Sequence, residues 1–183
     1  MNLVPFLKKL ISPINAASIV FIGILAIYIT FCHVKNAAWE REGKLRFKKM
    51  EAITPEMIEK IDVYGDAYGY TSLNVPNVNS INSKLLFAEV MHDLTEYHPN
   101  HDRDTQSFFI RMFTTTGEKY EFSVWLKPGI TGTAFLHAYY AGNTNCGSPE
   151  HSGLPGAKKS SSLYRWLEYH KLIKEADPQS MSA

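Results

Sequence analysis

Residues 108–126 read FFIRMFTTTGEKYEFSVWL, and this stretch carries the clearest secondary-structure signal in the 183-residue chain. Apolar side chains recur at every second position in both halves: Phe108, Ile110 and Met112, then Tyr120, Phe122, Val124 and Leu126. A period of two is that of a strand with one buried face. Gly117 lies between the halves, and glycine adopts the backbone conformations that tight turns require. The stretch therefore predicts a β-hairpin.

The segments around the hairpin extend the prediction in both directions. In chain order, the patterns predict a strand at Ile61–Val63, a short strand around Thr71–Val75, a helix over Ser83–Tyr97, the hairpin, a third strand over Thr133–Ala141, a loop over 142–160 and a helix over Ser161–Ile173. Consecutive strands joined by short turns form an antiparallel sheet. The fold class predicted for this part is α+β, a small domain in which an antiparallel sheet carries two helices packed on it.

The N-terminal part has a different character. No residue from Leu10 to Cys32 is charged, and residues 16–31 read AASIVFIGILAIYITF. A helix rises about 1.5 Å per residue, so roughly 20 apolar residues cross the hydrocarbon layer of a membrane. The residues after this run offer no small-residue cleavage site for a signal peptidase. The sequence therefore predicts one uncleaved N-terminal transmembrane helix, with Trp39 just beyond it at the interface.

Charge divides the chain further. Residues 35–49 carry a net charge of +4, whereas residues 50–183 carry −5. The predicted organisation has five parts: a short tail over 1–9, the transmembrane helix over 10–34, a charged helical stalk over 35–52, the α+β domain over 53–176 and a frayed tail over 177–183. An acidic domain argues against nucleic acid as a partner.

The side of the membrane that holds the domain stays open at this stage. Two basic residues precede the apolar run and six follow it within fifteen positions, which indicates a cytoplasmic domain by the positive-inside rule. The pair Lys8-Lys9 ahead of a first span resembles a signal-anchor, which would export the domain. The localisation predicted is single-pass membrane, with the side unresolved.

One candidate binding site lies before the last predicted helix. Lys158, Lys159, Ser160 and Ser161 occupy the region where free backbone N–H groups and the helix dipole favour anions. A phosphate, a lipid headgroup or a partner carboxylate would suit this site, with both lysines exposed. The residues do not form a phosphate-binding P-loop, because Ala157 stands where that motif requires glycine. The alternative is an ordinary serine cap beside solvated lysines.

Two other groups of residues invite a catalytic interpretation. His92, His98, His101 and Asp102 lie close together in sequence and carry ligand atoms that suit zinc, but their spacing matches no known metal motif. Cys146 stands between His137 and His151, and nearness in sequence does not establish a nucleophile and its base. We therefore predict no catalytic residue, no metal and no cofactor.

The functional prediction follows from these features. It is a single-pass membrane-anchored, non-enzymatic protein-interaction module, either an accessory subunit of a membrane or envelope complex or an immunity-type inhibitor. Its expected partners are the lipid bilayer and a protein. Aromatic residues beyond those the core needs would suit such a partner; the candidates are Tyr139, Tyr140, Tyr164, Trp166 and Tyr169. The alternative is a membrane-anchored metal-dependent hydrolase that uses His92, His98 and His101.

Overall fold

The computed structural model describes residues 13–98, 106–143, 152–153 and 156–173. The chain divides into two compact units, residues 1–42 and 43–183. Helix α1 runs from Pro13 to Glu51 without interruption, so its last nine residues belong to the second unit. The second unit thus begins at Gly43, inside the segment that the sequence predicts as a stalk.

Helix α1 accounts for the described part of the first unit. Its apolar side chains point into open space; Ile22 and Ile27 are 63% and 72% exposed. Within the described residues it is the one helix long and apolar enough to cross a membrane, and no part of its apolar window is buried. The predicted long apolar N-terminal helix is therefore confirmed.

The second unit is built on an antiparallel sheet. Its described elements are a 3-10 helix (Pro55–Met57), β1 (Ile58–Tyr64), β2 (Ser72–Leu73), α2 (Ile81–His92), β3 (Thr95–Tyr97), β4 (Gln106–Thr114), β5 (Glu118–Leu126), β6 (Ala134–Asn143), β7 (Ser152–Gly153), β8 (Ala157–Ser160) and α3 (Ser161–Tyr169). The strands are ordered β2-β1-β4-β5-β6-β8-β3, and β7 also pairs with β6. Every pairing is antiparallel. The predicted α+β fold class is confirmed.

The predicted hairpin is formed by β4 and β5 at the centre of the sheet. Ile110 faces Phe122 across the pair, and Met112 faces Tyr120. These four side chains are at most 1% exposed, so the alternation in the sequence marks the buried face. Gly117 turns the chain with φ of +82°, a conformation that glycine adopts without strain.

Three helical segments pack against the sheet. Phe87 of α2 lies edge-on to Phe122 of β5, with ring centroids 5.7 Å apart, and Trp166 of α3 lies edge-on to Phe87 at 5.0 Å. The end of α1 contributes Met50, which is fully buried, and the Arg46 guanidinium, which lies 4.2 Å from the centroid of the Tyr140 ring. The end of α1 is therefore part of the folded unit.

Three predicted boundaries are wrong. Helix α2 ends at His92 instead of Tyr97, because Thr95–Tyr97 leaves the helix to pair with β8. Residues 157–160, predicted as loop, form β8 between β6 and β3. Helix α3 ends at Tyr169 instead of Ile173, since Lys171 adopts a left-handed conformation with φ of +54°.

The outer edge of β1 is closed by a side chain. The backbone N–H of Ile61 donates to Asn79 Oδ1 at 2.6 Å, and Asn79 Nδ2 donates to the carbonyl of Ile61 at 3.2 Å. Lys84 Nζ donates to the carbonyl of Glu59 at 2.7 Å. The amide of Asn79 thus makes the two hydrogen bonds that a neighbouring strand would make, where β2 does not extend.

Packing at Phe122 provides the test of this fold. Replacing Phe122 with alanine removes a ring that is 1% exposed and packs on Phe87. We expect the free energy of unfolding to fall by about 3–5 kcal/mol, the usual cost of such a change in a core. Phe113→Ala is the matched control, because Phe113 is only half-buried and should cost less. Equal losses in denaturant unfolding would contradict the assignment of the two sheet faces.

Candidate functional site

The structure separates the side chains of the predicted anion-binding residues. Lys158, Lys159 and Ser160 lie on β8, and Ser161 opens α3. Successive side chains of a strand point to opposite faces, so the two lysines diverge. Lys158 pairs with the core residue Leu136 and is 7% exposed, whereas Lys159 is exposed. The expectation that both lysines are exposed is therefore wrong for Lys158.

Lys158 is held by neighbours within the chain. Its Nζ lies 3.7 Å from Glu96 Oε1 and 5.0 Å from the centroid of the Phe47 ring. An aromatic ring face attracts a cation, and desolvation strengthens that attraction. The ammonium group therefore has an anionic and an aromatic neighbour inside the folded unit.

The N-terminus of α3 binds a carboxylate from the same chain. Asp93 Oδ2 accepts hydrogen bonds from the Ser162 N–H at 2.7 Å and from Ser160 Oγ at 3.1 Å. Burial raises the pKa of the Asp93 carboxyl, but the hydrogen bonds from Ser162 and Ser160 outweigh it and leave the pKa lowered. Ser160 also caps the helix by accepting from the Leu163 N–H at 2.9 Å. Binding of an external anion at Lys158–Ser161 stays a prediction.

The histidine cluster is only partly described. His92 ends α2 and His98 follows β3, and both are exposed. His101 and Asp102 lie outside the described residues, as do Cys146 and His151. No group of three or more candidate metal ligands occurs in the part of the chain that the structure describes. The hydrolase alternative stays a prediction that metal analysis of the purified chain would test.

A serine–histidine pair that the sequence did not reveal lies between α2 and α3. Ser83 Oγ is 2.7 Å from His170 Nε2, the separation expected for a nucleophile and its base. Ser83 is fully buried, however, and its hydroxyl also accepts from Trp166 Nε1 at 3.1 Å. Burial lowers the pKa of His170 more than the hydrogen bond with the Pro76 backbone raises it, so the pKa is lowered. The pair therefore joins the two helices, and the buried Ser83 hydroxyl is not accessible to a substrate.

A second feature that the sequence pattern did not predict is the tyrosine loop, residues 65–71, between β1 and β2. The Asp66 carboxylate accepts hydrogen bonds from three backbone N–H groups, those of Tyr68 at 2.8 Å, Tyr70 at 3.2 Å and Thr71 at 2.5 Å. Desolvation raises the pKa of Asp66, but the hydrogen bonds from Tyr70, Thr71 and Tyr68 outweigh it and lower the pKa to about 2. One side chain thus organises the whole loop.

The tyrosine loop also packs closely against strand β4. Gly69 has φ of +77°, and a Cβ atom there would lie 2.8 Å from Cδ1 of Phe109 on β4. Only glycine fits this close approach. Tyr68 and Tyr70 are 75% and 86% exposed, with ring centroids 6.1 Å apart. The loop therefore holds two exposed tyrosines on an ordered backbone.

The segment that contains the tyrosine loop carries little charge of its own, and Arg111 of β4 lies against it, with Nη2 3.4 Å from the Cβ position at Gly69. Residues 65–82 contain a single charged side chain, Asp66, and its carboxylate is occupied by the loop backbone. Tyrosine enrichment together with depletion of charge is the compositional signal of the centre of a protein–protein interface. Serine, glycine and asparagine beside tyrosine also characterise the binding loops of antibodies.

The aromatic residues singled out in the sequence are mostly not surface residues. Tyr140, Tyr164 and Trp166 are buried, and Tyr139 is half-buried. Tyr169 is 50% exposed. The sequence pattern does not distinguish these residues, because it does not reveal which face of β6 or of α3 packs into the core.

Comparison of the chain with family models, with curated proteins and with solved structures gives no match. Its function is therefore inferred from its own residues.

The two lysines of β8 provide a matched test of their different surroundings. Lys158→Glu places a carboxylate beside Glu96 in a buried position, and we expect the free energy of unfolding to fall by about 1–3 kcal/mol. Lys159→Glu changes an exposed side chain and should stay within about 0.5 kcal/mol of wild type. Thermal and denaturant unfolding of both variants measure this, and indistinguishable stabilities would contradict the burial of Lys158.

Proposed function

We propose that this chain is a single-pass membrane-anchored, non-enzymatic protein-interaction module. The observation that carries the proposal is that no part of the apolar window of α1 is buried. Residues such as Phe21, Ile24 and Ile27 are 61–72% exposed, and no part of the described chain covers them. Soluble proteins rarely expose apolar surface of this extent. The hydrocarbon layer of a membrane would cover it, and a helix tolerates that layer because its backbone N–H and C=O groups are hydrogen-bonded within the helix.

The tyrosine loop supports the protein-binding part of the proposal. Tyrosine contributes a large contact area and few rotatable bonds, so an ordered exposed pair loses little entropy on binding. The hydrogen bonds to Asp66 and the contact of Gly69 with Phe109 order the loop before any partner arrives. Such a module would serve as an accessory subunit of a membrane or envelope complex or as an immunity-type inhibitor.

Anchoring is tested by placing charge inside the apolar window. In Ile24→Lys/Ile27→Lys, each lysine at the centre of a span costs about 2.5–3.5 kcal/mol of insertion free energy. We expect wild type to stay in the membrane pellet after alkaline carbonate extraction and this variant to be released. Ala37→Lys/Ala38→Lys is the matched control, because it adds the same charge outside the window and should stay in the pellet. Release of wild type would refute the anchor.

Protein binding is tested at Tyr70. A photo-cross-linking amino acid at this position should give a discrete adduct in native membranes, from which mass spectrometry identifies the partner. Purified partner should then bind Tyr68→Ala/Tyr70→Ala roughly tenfold or more weakly than wild type, as for other interface tyrosines.

Tyr169→Ala is the control for this experiment, since Tyr169 is also exposed but lies on α3. It should leave the affinity within about twofold, as expected of a residue outside the interface. Unchanged affinity of the double variant, with an unchanged unfolding midpoint, would exclude the tyrosine loop as the binding surface.

A further inference from the structure

We propose that the basic collar, defined as Lys35 and Arg41 of α1, binds the headgroups of anionic phospholipids. This inference rests on the proposed anchoring of α1 in a membrane. It adds a lipid class to that proposal, because anchoring alone is indifferent to the charge of the headgroup.

The two collar residues form no ion pair within the part of the chain that the structure describes. Several cations of the folded unit pair with carboxylates, among them Lys49 with Glu118, Arg111 with Glu121 and Arg165 with Glu89. None of the salt bridges in the described residues involves Lys35 or Arg41. Both collar side chains are exposed, and Lys35 Nζ lies 5.9 Å from the centroid of the Trp39 ring.

The position of the collar along α1 identifies the anion. Lys35 directly follows Val34, the last apolar residue of the run, and Arg41 lies about 10 Å further along the axis at 1.5 Å per residue. The headgroup layer adds about 5–7 Å to each side of the hydrocarbon core, and charges interact over a Debye length of about 8 Å at physiological salt. Lys35 and Arg41 are therefore within range of headgroup phosphates for any tilt of the helix.

Charge distinguishes this surface from the protein-binding surface. Residues 65–71 contain no cation, and the guanidinium of Arg111, which lies against Gly69, is paired with Glu121 at 2.9 Å. The collar has exposed cations, and clustered Lys and Arg beside a span attract anionic headgroups. A zwitterionic headgroup carries no net charge and would gain much less from the same contact.

Lipid selectivity of the reconstituted full chain tests the proposal. The protein is placed in phosphatidylcholine bilayers with a trace of spin-labelled phosphatidylglycerol or spin-labelled phosphatidylcholine, and electron paramagnetic resonance measures the fraction of each probe immobilised by the protein. We expect wild type to immobilise phosphatidylglycerol roughly twofold or more in preference to phosphatidylcholine. The preference should shrink at 1 M salt, where the Debye length is only about 3 Å.

Matched variants locate the effect. Lys35→Gln/Arg41→Gln should bring the two probes to about equal immobilisation, whereas Arg165→Gln/Lys171→Gln removes the same charges from exposed positions elsewhere and should keep the wild-type preference. Equal immobilisation of both probes by wild type, persistence of the preference in the collar variant, or its loss in the control would each overturn the collar proposal. Immobilisation of neither probe would instead overturn the anchoring, and the collar proposal with it.

Discussion

The indole of Trp166 holds α2 and α3 to each other and, through Phe87, to the sheet. Its Nε1–H donates to the carbonyl and hydroxyl oxygens of Ser83 at 3.2 and 3.1 Å, and its ring packs edge-on against Phe87. Phe87 in turn packs against Phe122 on the central hairpin. A buried hydroxyl without partners costs about 1–3 kcal/mol. The same side chain that fills the core therefore also satisfies the buried hydroxyl of Ser83. Packing and hydrogen bonding here depend on one residue.

The central hairpin was predictable because its strands are long and their two faces differ. Each strand has nine residues, so the alternation of apolar and polar side chains repeats several times. This repetition places Phe122 on the buried face. Strands β3 and β8 have three and four residues and consist mainly of polar side chains. Pairing with β6 and with each other makes them strands, and that information is not local to residues 95–97 or 157–160.

The candidate sites also depend on contacts between residues that are far apart in the sequence, which local patterns do not reveal. Asp93 reaches the helix start at Ser162 from 69 positions away, and Ser83 meets His170 across 87 positions. A helix N-terminus was visible in the sequence, but the carboxylate that occupies it was not. The tyrosine loop was visible only as a composition rich in glycine, tyrosine and asparagine. Its order depends on the contact of Gly69 with Phe109, which belongs to a different strand.

Asn79 closes the edge of β1 with its amide group, and this has a consequence for a chain tethered as proposed. Molecules confined to a surface collide far more often than the same number in solution, and an open strand edge is a template for pairing with a second copy. With both backbone groups of Ile61 already satisfied, crowding in the plane of a membrane does not extend the sheet from this position of β1 into the next molecule. Any contact between neighbours at this edge has to be made through side chains, which can be selected for a particular partner.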